Sequence, residues 1–194
     1  MTKKEEWLAG ARSAVPIMLG YVPVGIAYGV MARQAGLSTW QTVLMSLTVY
    51  GGASEMMAAG MVAQGAAVLT IVLTTFILNL RHIIMSTCVF NQMQGGRLPV
   101  RMLAAFGVTD ETFAVYTTTA NAPRTPRYFF SMAFCAYLSW ALGSWLGAIA
   151  TGLLPPLITA ALGISLYAMF IGLLMPGLHG NGRLAALVLS LIHI

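Results

Sequence analysis

Charge is what this sequence has least of. Only 8% of its 194 residues are Asp, Glu, Lys or Arg, against about 25% in ordinary soluble domains, which leaves too little to cover a water-facing surface. Acids are scarcer still. There are five, and two of them, Glu5 and Glu6, stand at the N-terminus. Cysteine is also short: Cys88 and Cys135 both fall within apolar runs, with no CxxC and no Cys/His ligand spacing. That excludes a disulfide framework and a zinc site, and leaves packing as their role. No phosphate-binding glycine loop is present, and no feature calls for a cofactor.

What is present is hydrophobic. At 58% apolar residues the chain is not a disordered segment, and lipid is the solvent that suits it. The formal charge of +5 comes from cations lying between the apolar runs. They form no stripe of Lys and Arg alternating with aromatics, so no nucleic-acid surface is expected.

The apolar runs approach the roughly 20 residues a helix needs to cross a bilayer. They read as spans over 14–31, 40–62, 66–90, 102–119, 129–151 and 157–174, with a seventh that begins at Leu184 and meets the end of the sequence too soon. The expected fold is an all-α polytopic membrane protein with six full transmembrane helices plus a truncated seventh, some of them broken by Gly or Pro. Lys3, Lys4 and Arg12 precede a first run too long for a signal peptide, so that run reads as an uncleaved span. With the N-terminus cytoplasmic, Lys3, Lys4, Arg12, Arg124, Arg127 and Arg183 lie inside and Arg33, Arg97 and Arg101 outside, as the positive-inside rule prefers. The run 102–119 holds Gly107 and two acids and also reads as a re-entrant or broken helix. If it does not cross, everything after it inverts.

Gly25 and Gly29 in the first span and Gly143 and Gly147 in the fifth have GxxxG spacing, which lets membrane helices approach closely. Tyr50-Gly-Gly-Ala-Ser-Glu55 is a poor helix near mid-membrane. Such breaks expose helix ends to ions and charged substrates in transporters. In the third span, Arg81 lies some three residues past the midpoint, about 4 to 5 Å from the bilayer centre at 1.5 Å per residue. Intramembrane charge is costly, so it reads as functional. Thr75, Asn79, His82 and Ser86 recur at spacings of four, three and four, which makes one polar face. In 106–113, Thr109 can cap a helix whose first turn holds Asp110 and Glu111. Glu55, Asp110 and Glu111 are thus the acids available to Arg81.

Gly52-Ala-Ser-Glu55, Asn79-Leu-Arg-His82 and Phe106-Gly-Val-Thr-Asp-Glu111, in that order, resemble the AzlC family of branched-chain amino-acid exporters. The proline-containing first span and the stretch from Tyr137 through Trp140 to Gly147 are similar too. The resemblance runs to about Val188. It implies an inner-membrane protein, commonly of seven helices, that works with a small multi-spanning AzlD-type subunit to export valine, leucine, isoleucine and sometimes methionine. Glu55 stands where that family usually carries Gln. The organisation expected is a cytoplasmic segment over 1–13 and one transporter domain over 14–188. Residues 189–194 correspond to CTG-TCT-CTT-ATA-CAC-ATC, which resembles a sequencing adapter, so the natural chain is expected to continue past Val188.

A zwitterionic amino acid needs a donor for its carboxylate, an acceptor for its ammonium and an apolar pocket for its side chain. Arg81, aided by the amides near Gly51 and Gly52, can supply the first, and Asn79 and Ser54 complete the candidate substrate-binding set. Glu55, or Asp110 with Glu111, can supply the second. His82, Asp110 and Glu111 are candidates for proton coupling. No enzymatic activity is expected: Ser54 and His82 could pose as a protease dyad, but no glycine follows Ser54 and an arginine adjoins the histidine. An ion channel and a permease subunit of another system are the remaining alternatives.

Overall fold

The computed structural model describes residues 2–153 and the isolated positions 155, 161, 164 and 171. The expected span 157–174, the run from Leu184, Arg183 and the segment 189–194 lie outside this description. Among the described residues the regular structure is all helical: α1 (Lys3–Gln34), α2 (Thr39–Val49), α3 (Gly52–Ala63), α4 (Val68–Asn79), α5 (Arg81–Gln92), α6 (Leu98–Phe106), α7 (Asp110–Thr118) and α8 (Pro126–Ala150).

Local sequence explains most of the boundaries. Thr2 with Glu5, Ser38 with Gln41 and Thr109 with Thr112 form reciprocal capping boxes at the starts of α1, α2 and α7. Thr125 caps α8, which opens with Pro126, where the missing N–H is not needed. α1 and α3 end at Gly36 and Gly65, both with positive φ, and the next amide in each case returns to the carbonyl five residues back. α1 runs unbroken through Pro16 and Pro23, so the expected proline breaks do not occur there.

The scaffold is the pair α1 and α8, which lie side by side and parallel. Gly10 faces Tyr128 and Ser131, Gly25 faces Gly143, and Gly29 faces Ser144 and Gly147, a constant register along both helices. A Cβ on Gly25 would lie 3.0 Å from the Trp140 carbonyl and 3.2 Å from the Gly143 Cα, so close packing requires glycine there. The two GxxxG motifs therefore pair with each other inside the chain, and are not a surface left for a partner subunit.

Among the described residues three stretches are long and apolar enough to cross a bilayer: Lys3–Gln34, Val68–Gln92 and Pro126–Ala150. The middle one is α4 running into α5 through a single tight step at Leu80, whose N–H bonds the Ile77 carbonyl at 3.2 Å. It is antiparallel to α1 and α8, because α5 finishes beside the start of α8, where the Gln94 N–H bonds the Arg124 carbonyl at 2.6 Å.

Two of the six expected spans do not cross. α2 starts next to the C-terminal end of α1 and reaches the middle of the bundle at Tyr50, which packs on Tyr21 and Tyr137. α3 then turns back to meet the start of α4, and its Ser54 is joined to Asn79 at the far end of α4. α6 and α7 form the matching hairpin from the opposite side. Gly96 lies against Pro126, Phe106 climbs to Tyr137, and Tyr116 has returned to Tyr128 and Phe129. The runs 40–62 and 102–119 are re-entrant because each carries residues that leave the helical ladder at its centre: Tyr50 and Gly51 in one, and 107–109 in the other.

This topology redistributes the cations. Lys3, Lys4, Arg12, Arg97, Arg101, Arg124 and Arg127 gather at one end and Arg33 stands at the other; Arg97 and Arg101 sit with the N-terminus rather than opposite it. Two of them clamp helix ends. Arg101 donates to the carbonyls of Phe90 and Met93 at the close of α5, and Arg124 to that of Tyr116 near the close of α7. Cys88 is exposed on the outside of the bundle, so packing is not its role, whereas Cys135 is partly buried.

Candidate functional site

The hairpin tips meet mid-bundle beside the step at Leu80, and a small polar chamber lies between them. From the first tip come Tyr50, Gly51, Gly52 and Ala53; from the second, Thr109, Asp110 and Glu111. α5 contributes Arg81 and His82, and the scaffold closes the wall with Tyr21 and Trp140. Its volume is about 20 Å³, near the minimum that holds a single water. Anything larger requires the tips to part.

Arg81 is ion-paired with Asp110, its Nη2 lying 3.0 Å from Oδ2. Arg81 Nε is buried with no hydrogen-bond partner, as is the Asn79 Oδ1 that faces Gly51. The two other acids are engaged elsewhere. Glu111 accepts the Tyr21 hydroxyl at 2.6 Å, and that hydroxyl also meets Thr109 at 2.7 Å. Glu55 is fully buried and accepts the Gly51 N–H at 2.9 Å and the Trp140 Nε1–H at 3.3 Å to each oxygen. Glu55 thus fastens the first tip to α8 and itself faces away from the chamber.

Ser54 is also buried behind the tip. Its hydroxyl donates to the Gly51 carbonyl at 2.8 Å and accepts from Asn79 at 3.3 Å, and among the described residues no hydrogen bond joins it to His82. The residues singled out from the sequence therefore divide in two. Gly51, Gly52, Arg81, His82, Asp110 and Glu111 line the chamber, and Ser54, Glu55 and Asn79 brace it from behind. The polar stripe of α4 and α5 faces the protein: Thr75, Asn79, His82 and Ser86 are half-buried, whereas Phe76, Ile77, Ile83 and Ile84 are exposed.

The two tips differ electrostatically. A helix start carries free amides and the positive end of its dipole. In α7 that end is met by the Thr109 cap and by Asp110 and Glu111. In α3 the capping position is Gly51, no side chain caps the first turn, and the first-turn acid Glu55 is bound to the Gly51 N–H, while Gly52 and Ala53 line the chamber with Arg81. A carboxylate fits this end.

Sequence reasoning missed Tyr21 and Trp140 as parts of the site and saw Tyr50 and Thr109 only as the start of a break and a helix cap. Tyr21 and Trp140 belong to continuous helices with no local irregularity. Only the packing of α1 against α8 turns them toward the tips.

Among the described residues, three membrane-length helices and two hairpins that turn back mid-bundle define a polytopic membrane protein with a small charged chamber at the hairpin tips. The family profile described as AzlC protein matches residues 16–154, and this chain belongs to that family. It is 32% identical over 188 residues to an uncharacterized membrane protein of Archaeoglobus fulgidus, covering 96% of this chain and 82% of the relative. It is 31% identical to the inner membrane protein YgaZ of Escherichia coli, over 87% of this chain and 72% of that protein. To the branched-chain amino acid transport protein AzlC of Bacillus subtilis it is 27% identical, over 77% and 61%. No solved structure matches.

Proposed function

We propose that this protein is a secondary carrier that exports branched-chain amino acids, chiefly valine, leucine and isoleucine and sometimes methionine, across the bacterial inner membrane at the expense of the proton-motive force. The observation that carries the reading is the meeting of the uncapped start of α3 with the partly exposed Arg81–Asp110 pair in one small chamber. The substrate carboxylate binds Arg81 and the amides of Gly52 and Ala53. Its ammonium replaces Arg81 as the partner of Asp110, so the resting ion pair opens as the zwitterion enters. Glu55, Ser54 and Asn79 hold the first tip in place. His82, Asp110 and Glu111 are the groups through which a proton couples to this exchange.

The positive-inside rule reads the end bearing Lys3, Arg97, Arg101, Arg124 and Arg127 as cytoplasmic, which puts the N-terminus inside. The resemblance further implies a small AzlD-like membrane subunit as partner. Since the paired glycines are consumed between α1 and α8, that subunit docks elsewhere on the bundle.

The test is uptake of labelled valine into inside-out vesicles. Saturable uptake that rises with an imposed proton gradient is the expected result. Flux that is linear in valine concentration would fit a channel, and no flux beyond protein-free vesicles would end the reading.

A further inference from the structure

We infer that the cavity between α6 and α8 is the compartment for the substrate's apolar side chain, and that Tyr50 is the wall through which it joins the polar chamber. The inference rests on the chamber being a site for an amino-acid head group. It begins from a backbone oddity. Tyr50 ends α2 in the left-handed conformation, at φ 47° and ψ 50°, which is strained for a residue with a Cβ. Gly51 follows immediately, so glycine is available to this turn, yet the strained position carries a large ring. Strain of this kind marks a side chain held for a purpose.

The ring stands at a boundary. On one side it lines the polar chamber. On the other it lines a cavity of about 220 Å³ whose further walls are Leu103, Phe106, Ala133, Phe134 and Tyr137. Tyr50 packs edge-on against Tyr137 with centroids 4.9 Å apart and tilted against Phe106 at 5.9 Å, so three aromatic rings form the partition. The chamber is an order of magnitude smaller than the cavity and lined by charge, so it can hold the head group alone once the tips part. The neighbouring space is apolar and begins at the same ring. A ligand with charges at one end and a branched aliphatic group at the other matches the two compartments in that order.

A second apolar cavity, about 330 Å³, lies among α2, α3 and α4 behind the first tip and shares no lining residue with the polar chamber. It therefore serves as the control.

The experiment compares transport efficiency for alanine, valine, leucine and phenylalanine in inside-out vesicles holding the full chain, normalised to protein level. Phe134, Leu103 and Val72 are 47%, 59% and 57% exposed, so changing them leaves the core intact. Phe134→Ala should raise phenylalanine relative to valine by about tenfold, and Leu103→Trp should lower leucine relative to alanine by about tenfold, the discrimination that a changed methylene or two commands in an apolar pocket. Val72→Trp, in the second cavity, should leave every ratio as in the wild type. If the wild type transports and the first two variants leave the ratios unchanged, or Val72→Trp alters them, the compartment is misassigned while the head-group site stands. If the wild type carries none of the four saturably, the head-group reading falls, and this inference with it.

Discussion

The two hairpins have the same shape and opposite chemistry. Each enters from one side, reaches the same depth and returns, and each presses a glycine of its tip onto α8. A Cβ on Gly52 would lie 2.8 Å from the Trp140 ring, and one on Gly107 would lie 2.6 Å from the Ala133 Cβ. At the first tip the carboxylate is turned inward, with Glu55 bound to Gly51 and Trp140, and the helix start is bare. At the second, the start is capped and the carboxylates Asp110 and Glu111 reach the chamber. The difference teaches how a chain with five acids can set unlike partners face to face: one tip brings an uncapped helix start, the other brings carboxylates, and Arg81 between them pairs with Asp110. On the function proposed above, these are the two ends of a site for a zwitterion.

Their order in the chain adds a symmetry. α1 followed by a hairpin from one side is repeated, upside down, by α4 and α5 followed by a hairpin from the other. Inverted repeats of this kind place transporter sites at the interface of the two halves.

Breaking the charge link between the tips should have the largest effect. Arg81→Ala leaves Asp110 without its partner and removes the carboxylate's fork, so the apparent affinity for valine should fall by at least about 30-fold, the loss that follows truncation of one member of a hydrogen-bonded charge pair. Arg81→Lys keeps the charge and loses the planar geometry, so it should insert normally and still transport poorly. Wild-type valine kinetics for Arg81→Ala at equal protein levels would defeat the assignment.

Next come the tip glycines. Gly107→Ala should destabilise the second hairpin by about 1 to 3 kcal/mol through overpacking, and Ala133→Gly in the same chain should restore it, because the two Cβ positions collide with each other. Thermal unfolding in detergent reads both. Gly52→Ala has no such simple partner, since it meets the ring that holds Glu55. A Gly107→Ala chain that Ala133→Gly fails to rescue would show that the α7 tip is not seated as described.

The smallest effect separates the two kinds of acid. Glu55→Gln keeps an acceptor for the Gly51 N–H and a polar group near Trp140, so a loss of about 1 kcal/mol in stability with transport retained is expected. Asp110→Asn, with a change of the same size, should remove most transport. Equal loss of transport in the two variants would mean that the bracing and lining roles are misdivided.

Much of the candidate site is legible in the sequence because its members break local rules. Arginine inside an apolar run, paired glycines in a helix and acids in a membrane segment are each costly, and cost points to function. The partner of Arg81 could not be read, since Glu55, Asp110 and Glu111 are equally plausible in a linear chain.

The sequence by itself determined the apolar character, the helical class, the Thr109 cap and the breaks at Tyr50–Gly51 and 107–109, because hydropathy, capping and glycine act over a few residues; the expected proline breaks in α1 did not occur and the step at Leu80 was not legible. Whether a broken apolar run crosses or turns back was decided only in three dimensions. Runs of 23 and 18 residues, 40–62 and 102–119, have the length of a span; Gly107 and two acids allow a re-entrant reading of the second, but nothing local decides that either reverses. Its direction is set by what it packs against: Asn79 and the α4 face for α3, and Tyr128 and Phe129 on α8 for α7. The same packing moved Arg97 and Arg101 to the end that holds the N-terminus and brought Tyr21 and Trp140 to the chamber, since a helix fixes which residues share a face but not which neighbour that face will meet.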